Sequence, residues 1–153
     1  TTQPFEFFGA PYIVPRDLRA AINQEYLEGV HLREVTFEPT FNKWAGAPCR
    51  GFQLHITDPD AYRPYRTSLA LLQAVIGLYP EHFQWLPPPY EYEYERMPID
   101  LIIGSRDVRT RLQAQEPIHR LEANWHQELD AFRAVVRPHL LYNGRKGAEG
   151  LAP

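Results

Sequence analysis

The stretch from Pro64 to Tyr79 constrains this chain most. Leu69, Leu71, Leu72, Val75, Ile76 and Leu78 would leave a helix there apolar almost all round. A helix with one apolar stripe can lie on a surface, but one without a polar side has to be covered from several directions. Pro64 suits its first turn, where a missing N–H removes no helical hydrogen bond. The rest of the chain must supply the covering layers. With 153 residues, 44% of them hydrophobic and including 3 Trp, 9 Tyr and 8 Phe, it has the side chains to do so as a single domain. The run from Leu69 to Leu78 is about 10 residues, short of the roughly 20 that cross a bilayer, so no membrane span is expected.

The flanking segments predict which layers form. Phe5 to Phe8 reads as a short strand. Pro15 then opens a helix carrying Leu18, Ala21, Ile22 and Tyr26, with Gly29 as its stop. Val30 to Phe37 is strand-like, but Leu32 and Val35 fall out of phase for a period of two, which predicts a bulge near Arg33 and Glu34. From Gly51 to Thr57, Phe52, Leu54 and Ile56 alternate with Gln53, His55 and Thr57, the pattern of a strand with one apolar face. Pro87-Pro88-Pro89 is expected to be extended and to lead into a strand on which Tyr90, Tyr92 and Tyr94 share a face. Ser105 is a candidate N-cap for a helix through Leu112. A last helix opens at Pro117, carries Ile118, Leu121, Trp125, Leu129, Phe132 and Val136 on an inward face, and ends at Pro138. The expected fold is α+β, a single domain with a mixed or antiparallel sheet packed with three to four helices over residues 1–142. A Gly- and Ala-rich flexible tail is expected over 143–153.

Charge and motif content exclude several functions. A net charge of −3 gives no basic footprint for phosphate contacts, so no nucleic-acid partner is expected. Cys49 is the only cysteine, which rules out an intrachain disulfide and a thiolate metal cluster. The six histidines show no metal-ligand spacing, and no G-x-S-x-G elbow or P-loop is present, so neither a metal nor a cofactor is expected.

The run from Phe37 to Asp58, F-E-P-T-F-N-K-W-A-G-A-P-C-R-G-F-Q-L-H-I-T-D, joins two strand-like segments through a polar, aromatic loop. It resembles the segment F-x-P-T-F-x-K-[YW]-x-G-x-x-C-x-G-x-Q-[IL]-H-[VI]-T-D in the C-terminal domain of the bacterial exo-β-N-acetylmuramidases. Thr1 to Glu6, Gly9 to Tyr12, Arg63 to Thr67 and Pro98 to Ser105 extend the resemblance over most of the chain. It implies a Rossmann-like catalytic domain upstream and an auxiliary, cleft-forming role for this part. The substrate class would be peptidoglycan fragments that lose N-acetylmuramic acid from non-reducing ends during cell-wall recycling, in the periplasm or outside the cell. It also implies that the catalytic glutamate lies upstream, so the fragment alone is expected to be inactive.

Candidate site residues follow from chemistry. Asn42, Lys43 and Trp44 offer an amide, an ammonium and an aromatic face, the groups that hold hydroxyls, a carboxylate and the apolar side of a pyranose. Lys43 or Arg50 is a candidate for the lactyl carboxylate of N-acetylmuramic acid. The competing reading makes Trp44 a core plug and Lys43 a solvated charge. Glu6 is the one weak catalytic candidate in the fragment, set against a solvated strand carboxylate, and His55 either bonds ligand or braces a neighbouring segment. Two other functions fit the residues: a stand-alone carbohydrate-binding module, and a protein-interaction domain using Pro87 to Tyr94.

Overall fold

The computed structural model describes residues 5–142. They form two compact units, one ending at Glu116 and one starting at Pro117. The first unit is built on a three-stranded antiparallel sheet of β1 (Phe7–Ala10), β2 (Val30–Phe37) and β3 (Cys49–Ile56), with β3 in the centre. Around it lie α1 (Pro15–Ala21), α2 (Pro64–Leu78), α3 (Pro98–Ile102) and α4 (Arg106–Gln113), and the second unit is α5 (Ile118–Val136) with a closing 3₁₀ turn at Arg137–His139. The α+β class therefore holds, with an antiparallel sheet. Among the described residues there is one α-helix more than the sequence predicts, the short α3 opened by Pro98 and clamped when Asp100 takes Arg109 at 2.5 and 3.1 Å.

The predicted core helix is present, with Thr67, Leu69, Ala70, Leu71 and Val75 buried and Leu72 half-buried. Gln73 Nε2 donates to Glu116 O at 2.7 Å, and Gln115 Nε2 donates back to Gln73 O at 3.2 Å, so α2 is fixed to the segment after α4. α1 packs on α2 and β3. It covers one sheet face, where Ala10, Leu32 and Phe52 are buried and the Arg19 guanidinium lies 5.0 Å from the Phe52 ring centroid while donating to Leu32 O. Ser105 caps α4 as predicted, its hydroxyl accepting from Val108 N at 3.2 Å.

The predicted bulge is absent: β2 and β3 pair one for one from Val30 with Ile56 to Phe37 with Cys49. The apparent phase error arises because β2 packs apolar side chains on both faces. Val30 and Leu32 are buried on the inner face, while Val35 and Phe37 lie half-buried on the outer one. There Phe37 stacks on Phe7, with centroids 5.3 Å apart and planes at 15°. Gly9, paired with Gly51, permits this, since a Cβ on Gly9 would come within 2.9 Å of Phe37 Cε1.

Three further segments differ from expectation. The first strand starts at Phe7 because Phe5 takes φ 64° and is fully exposed. The first helix ends at Ala21, where Ile22 turns extended and Asn23 accepts from Glu25 N at 3.1 Å to start a 3₁₀ turn at Gln24–Leu27. Tyr90 to Tyr94 is a tight turn and not a strand: Tyr90 and Glu93 exchange backbone bonds of 2.9 and 3.0 Å across Glu91 at φ 51°. The Glu93 carboxylate then fixes the bend that follows by accepting from the backbone N–H of Glu95 and of Arg96.

In the second unit, Ile118 and Leu121 are buried, but Leu129 and Phe132 are exposed, so the predicted inward face holds only for the first turns. The tail predicted over 143–153 lies outside the described residues.

Candidate functional site

The β2–β3 loop is folded by its own backbone. Gly46 N donates to Pro39 O at 2.9 Å, Ala45 N to Asn42 O at 3.2 Å and Ala47 N to Trp44 O at 2.9 Å. These bonds hold Asn42 and Trp44 at φ 65° and 64°. Asn tolerates the left-handed region, but for Trp it is unfavourable by about 1 to 2 kcal/mol. Strain of this kind clusters at binding sites, where the loop conformation presents a side chain.

The presented side chain is an indole. Trp44 is 37% exposed, its ring edge-on to Tyr12 at 6.0 Å and 74°, with Lys43 Nζ 5.6 Å from its centroid. Trp44 is therefore no core plug, and Lys43 is held over an aromatic face by cation–π attraction. Tyr12 also stacks on His82 at 5.3 Å and 18° and tilts against Tyr79 at 5.4 Å, whose hydroxyl accepts from Val14 N at 2.9 Å. Burial pushes the Tyr12 hydroxyl above its ordinary pKa, and Tyr79 adds to the effect. Trp44, with Lys43 over its ring and Asn42 two residues before it, thus rests on a stand of Tyr12, Tyr79 and His82 that the sequence did not reveal. Those three come from separate segments and share no spacing.

Glu6 and His55 lie elsewhere, on the outer sheet face. Glu6 sits in the turn before β1, not in a strand, and is half-buried. Its Oε2 accepts from Gln53 Nε2 at 2.9 Å, Gln53 Oε1 accepts from Arg33, and Arg33 Nε donates to His55 Nε2 at 3.2 Å. Gln53 is only 3% exposed, so both ends of its amide are fixed by these partners. Arg33 and Gln53 are the residues that sequence reasoning missed here. Period-two alternation set Gln53 on one face with His55, but Arg33 was not joined to them because β2 was read as bulged there.

Arg50 is exposed on β3, opposite Ala10 and Thr36, on the face away from His55. The structure does not bring it into the Arg33 relay. Cys49 is fully buried, its thiol raised in pKa by that burial. No cluster of three His, Cys, Asp or Glu able to hold a metal occurs among the described residues.

Residues 1–142 match the family described as the C-terminal part of the exo-β-N-acetylmuramidase NamZ. The peptidoglycan β-N-acetylmuramidase NamZ of Bacillus subtilis (strain 168) is 31% identical over 142 residues, which cover 93% of this chain and 32% of that protein. The crystal structure of a DUF1343 family protein from Bacteroides fragilis superposes with a TM-score of 0.72 at 23% identity, covering 92% of this chain and 36% of that one. The chain thus spans about a third of the length of each, 32% and 36%.

Proposed function

Because this chain belongs to the family of exo-β-N-acetylmuramidase C-terminal domains, we propose that it is the auxiliary half of such an enzyme and forms one wall of the substrate cleft. The ligand is a peptidoglycan fragment ending in N-acetylmuramic acid, and the acid/base carboxylate comes from a linked catalytic domain. Cell-wall recycling, outside the cytoplasm, is the corresponding role. Clefts built between domains are a common arrangement for such sites.

One observation carries this reading: a strained loop holds Trp44 partly exposed with the Lys43 ammonium over its ring. A pyranose can lie on such an indole while its carboxylate meets Lys43, with Asn42 beside it for hydroxyls. Arg50, the second residue of β3, is the second candidate cation for that carboxylate. Glu6 is bound to Gln53, which suits a positioning group better than a proton donor.

The test is a titration of the chain with N-acetylmuramic acid while Trp fluorescence is followed, repeated on the longer polypeptide that carries the upstream domain. Binding only by the longer form supports the shared cleft. Binding of equal strength by the 153-residue chain would make it a self-sufficient carbohydrate-binding module. No binding by either would leave the exposed Tyr92 and Tyr94 of the Pro-rich segment as the functional surface of an interaction domain.

A further inference from the structure

The outer face of the sheet carries a cation whose charge no carboxylate meets directly. Arg33 donates to an imidazole nitrogen of His55 and to the amide oxygen of Gln53, both uncharged acceptors, and no ion pair involves it among the described residues. By contrast, Arg109 and Arg111 each hold a carboxylate through two nitrogens. A guanidinium has five N–H donors, and two nitrogens here are engaged, so an outward edge remains available for a planar anion. The group is also held in place. Gln53 is 3% exposed, and its amide is locked between Glu6 and Arg33, which fixes the orientation of the fork.

Two features describe the ligand. Arg33 lies four residues before Phe37, where the loop bearing Lys43 and Trp44 begins, about 13 Å along an extended strand. On that face Phe37 stacks on Phe7, which lies across Gln53 from Arg33 and is 37% exposed. An apolar strip thus leads from the loop toward Arg33 along the same sheet. The stretch from Phe37 to Arg33 alone, about 13 Å, exceeds the span of a single sugar ring, whereas an oligosaccharide with carboxylates on non-adjacent units covers it.

We propose that Arg33 forms a second anion subsite on the outer sheet face, taking a carboxylate on a glycan unit other than the one held at Trp44. This rests on the glycan reading above for the identity of the ligand, but its contact residues are separate. The domain then holds an oligosaccharide across its sheet and not only a terminal sugar. The Phe7–Phe37 strip carries the ring between.

The experiment follows the Arg33 Nε–H, the Gln53 side-chain amide and the Trp44 indole N–H by ¹H–¹⁵N NMR on the polypeptide that carries the upstream domain, ¹⁵N-labelled over these 153 residues. The probes are acetate, N-acetylglucosamine, N-acetylmuramic acid, and a tetrasaccharide in which the two sugars alternate. Acetate should shift Arg33 and Gln53 weakly, in the millimolar range, and N-acetylglucosamine should leave them unmoved. The tetrasaccharide should shift Arg33 and Trp44 together and bind at least tenfold more tightly than N-acetylmuramic acid. Arg33→Gln should reduce the tetrasaccharide to the affinity of the monosaccharide. Arg33→Lys, which keeps the charge without the fork, should lose only part of it, and Glu6→Gln should tighten acetate severalfold by removing the relay's one carboxylate. Shifts at Trp44 without any at Arg33 would overturn the second subsite and leave the loop reading standing. Shifts at Arg33 with Trp44 silent would do the reverse. No Arg33 shift with any probe, or full tetrasaccharide affinity in a folded Arg33→Gln chain, also overturns it.

Discussion

Trp44 sits in a backbone conformation that disfavours its own side chain, and the loop's hydrogen bonds hold it there. This makes Lys43, the residue stacked on its ring, the sharpest single test of the proposed site. In the polypeptide that includes the catalytic domain, Lys43→Met should weaken a muramic substrate by about 1.5 to 3 kcal/mol, the scale of a hydrogen bond to a charged group. The glucosamine analogue, lacking the carboxylate, should be little affected. Lys43→Arg should recover part of the loss, since an ammonium point contact and a planar fork differ in geometry. Comparing kcat/KM for the two sugars checks this, and equal losses on both would mean that Lys43 only braces the loop. Lys43 and Trp44 were legible in the sequence because they lie side by side in one motif. Arg33, Gln53, Tyr12 and His82 were not, because only pairing across strands and turns brings them to their partners.

At the scale of elements, the sheet shows why periodicity both succeeds and misleads. Phe52 was legible as a core residue, since β3 alternates cleanly and its ring is fully buried. β2 was not, because its inner face is apolar near Val30 and its outer face near Phe37, a division made by the Phe7–Phe37 stack over two glycines. Those glycines give a prediction. A Cβ on Gly51 would lie 2.0 Å from Phe8 O and 2.6 Å from Gly9 Cα, both backbone atoms that cannot rotate aside. Gly51→Ala should therefore part β1 from β3 and lower the urea midpoint by more than Phe132→Ala, whose side chain is 64% exposed. A second prediction concerns the turn that Glu93 makes with Glu95 and Arg96. The backbone N–H of Glu95 first, and the Arg96 side chain next, hold the Glu93 carboxyl down to about 2. A depressed carboxyl favours the folded turn above its ordinary unfolded value near 4.3, and the contribution fades as pH falls from there toward 2. The Glu93 carboxyl carbon shift should titrate in that low range, and Glu93→Gln should loosen the turn and abolish the dependence. An ordinary midpoint for Glu93 would show that the turn is not held by its carboxylate.

At the scale of the molecule, a buried core stands beside what the proposed cleft would make an incomplete active site. Leu18, Leu32, Phe52, Leu69 and Leu112 are each at most 1% exposed, so the first unit has an interior of its own. Glycosidic cleavage commonly requires a carboxylic acid at the leaving oxygen and a second carboxylate or a substrate acetamide opposite it. The candidate wall offers Lys43, Asn42 and an indole, and the one carboxylate candidate, Glu6, lies elsewhere on the sheet and is engaged by Gln53. The chain also spans only 32% of its Bacillus subtilis relative. The 153-residue chain should therefore fold with a cooperative denaturant transition yet release no N-acetylmuramic acid from a chromogenic substrate. Joined to the remaining upstream part, it should do so, and Phe52→Ala should abolish that activity through instability, at a cost of about 3 to 5 kcal/mol. Phe52→Leu, which keeps most of the volume, should retain it. Turnover by the 153-residue chain that persists through repeated purification and vanishes in Glu6→Gln would instead make Glu6 a catalytic acid and the domain an enzyme in its own right.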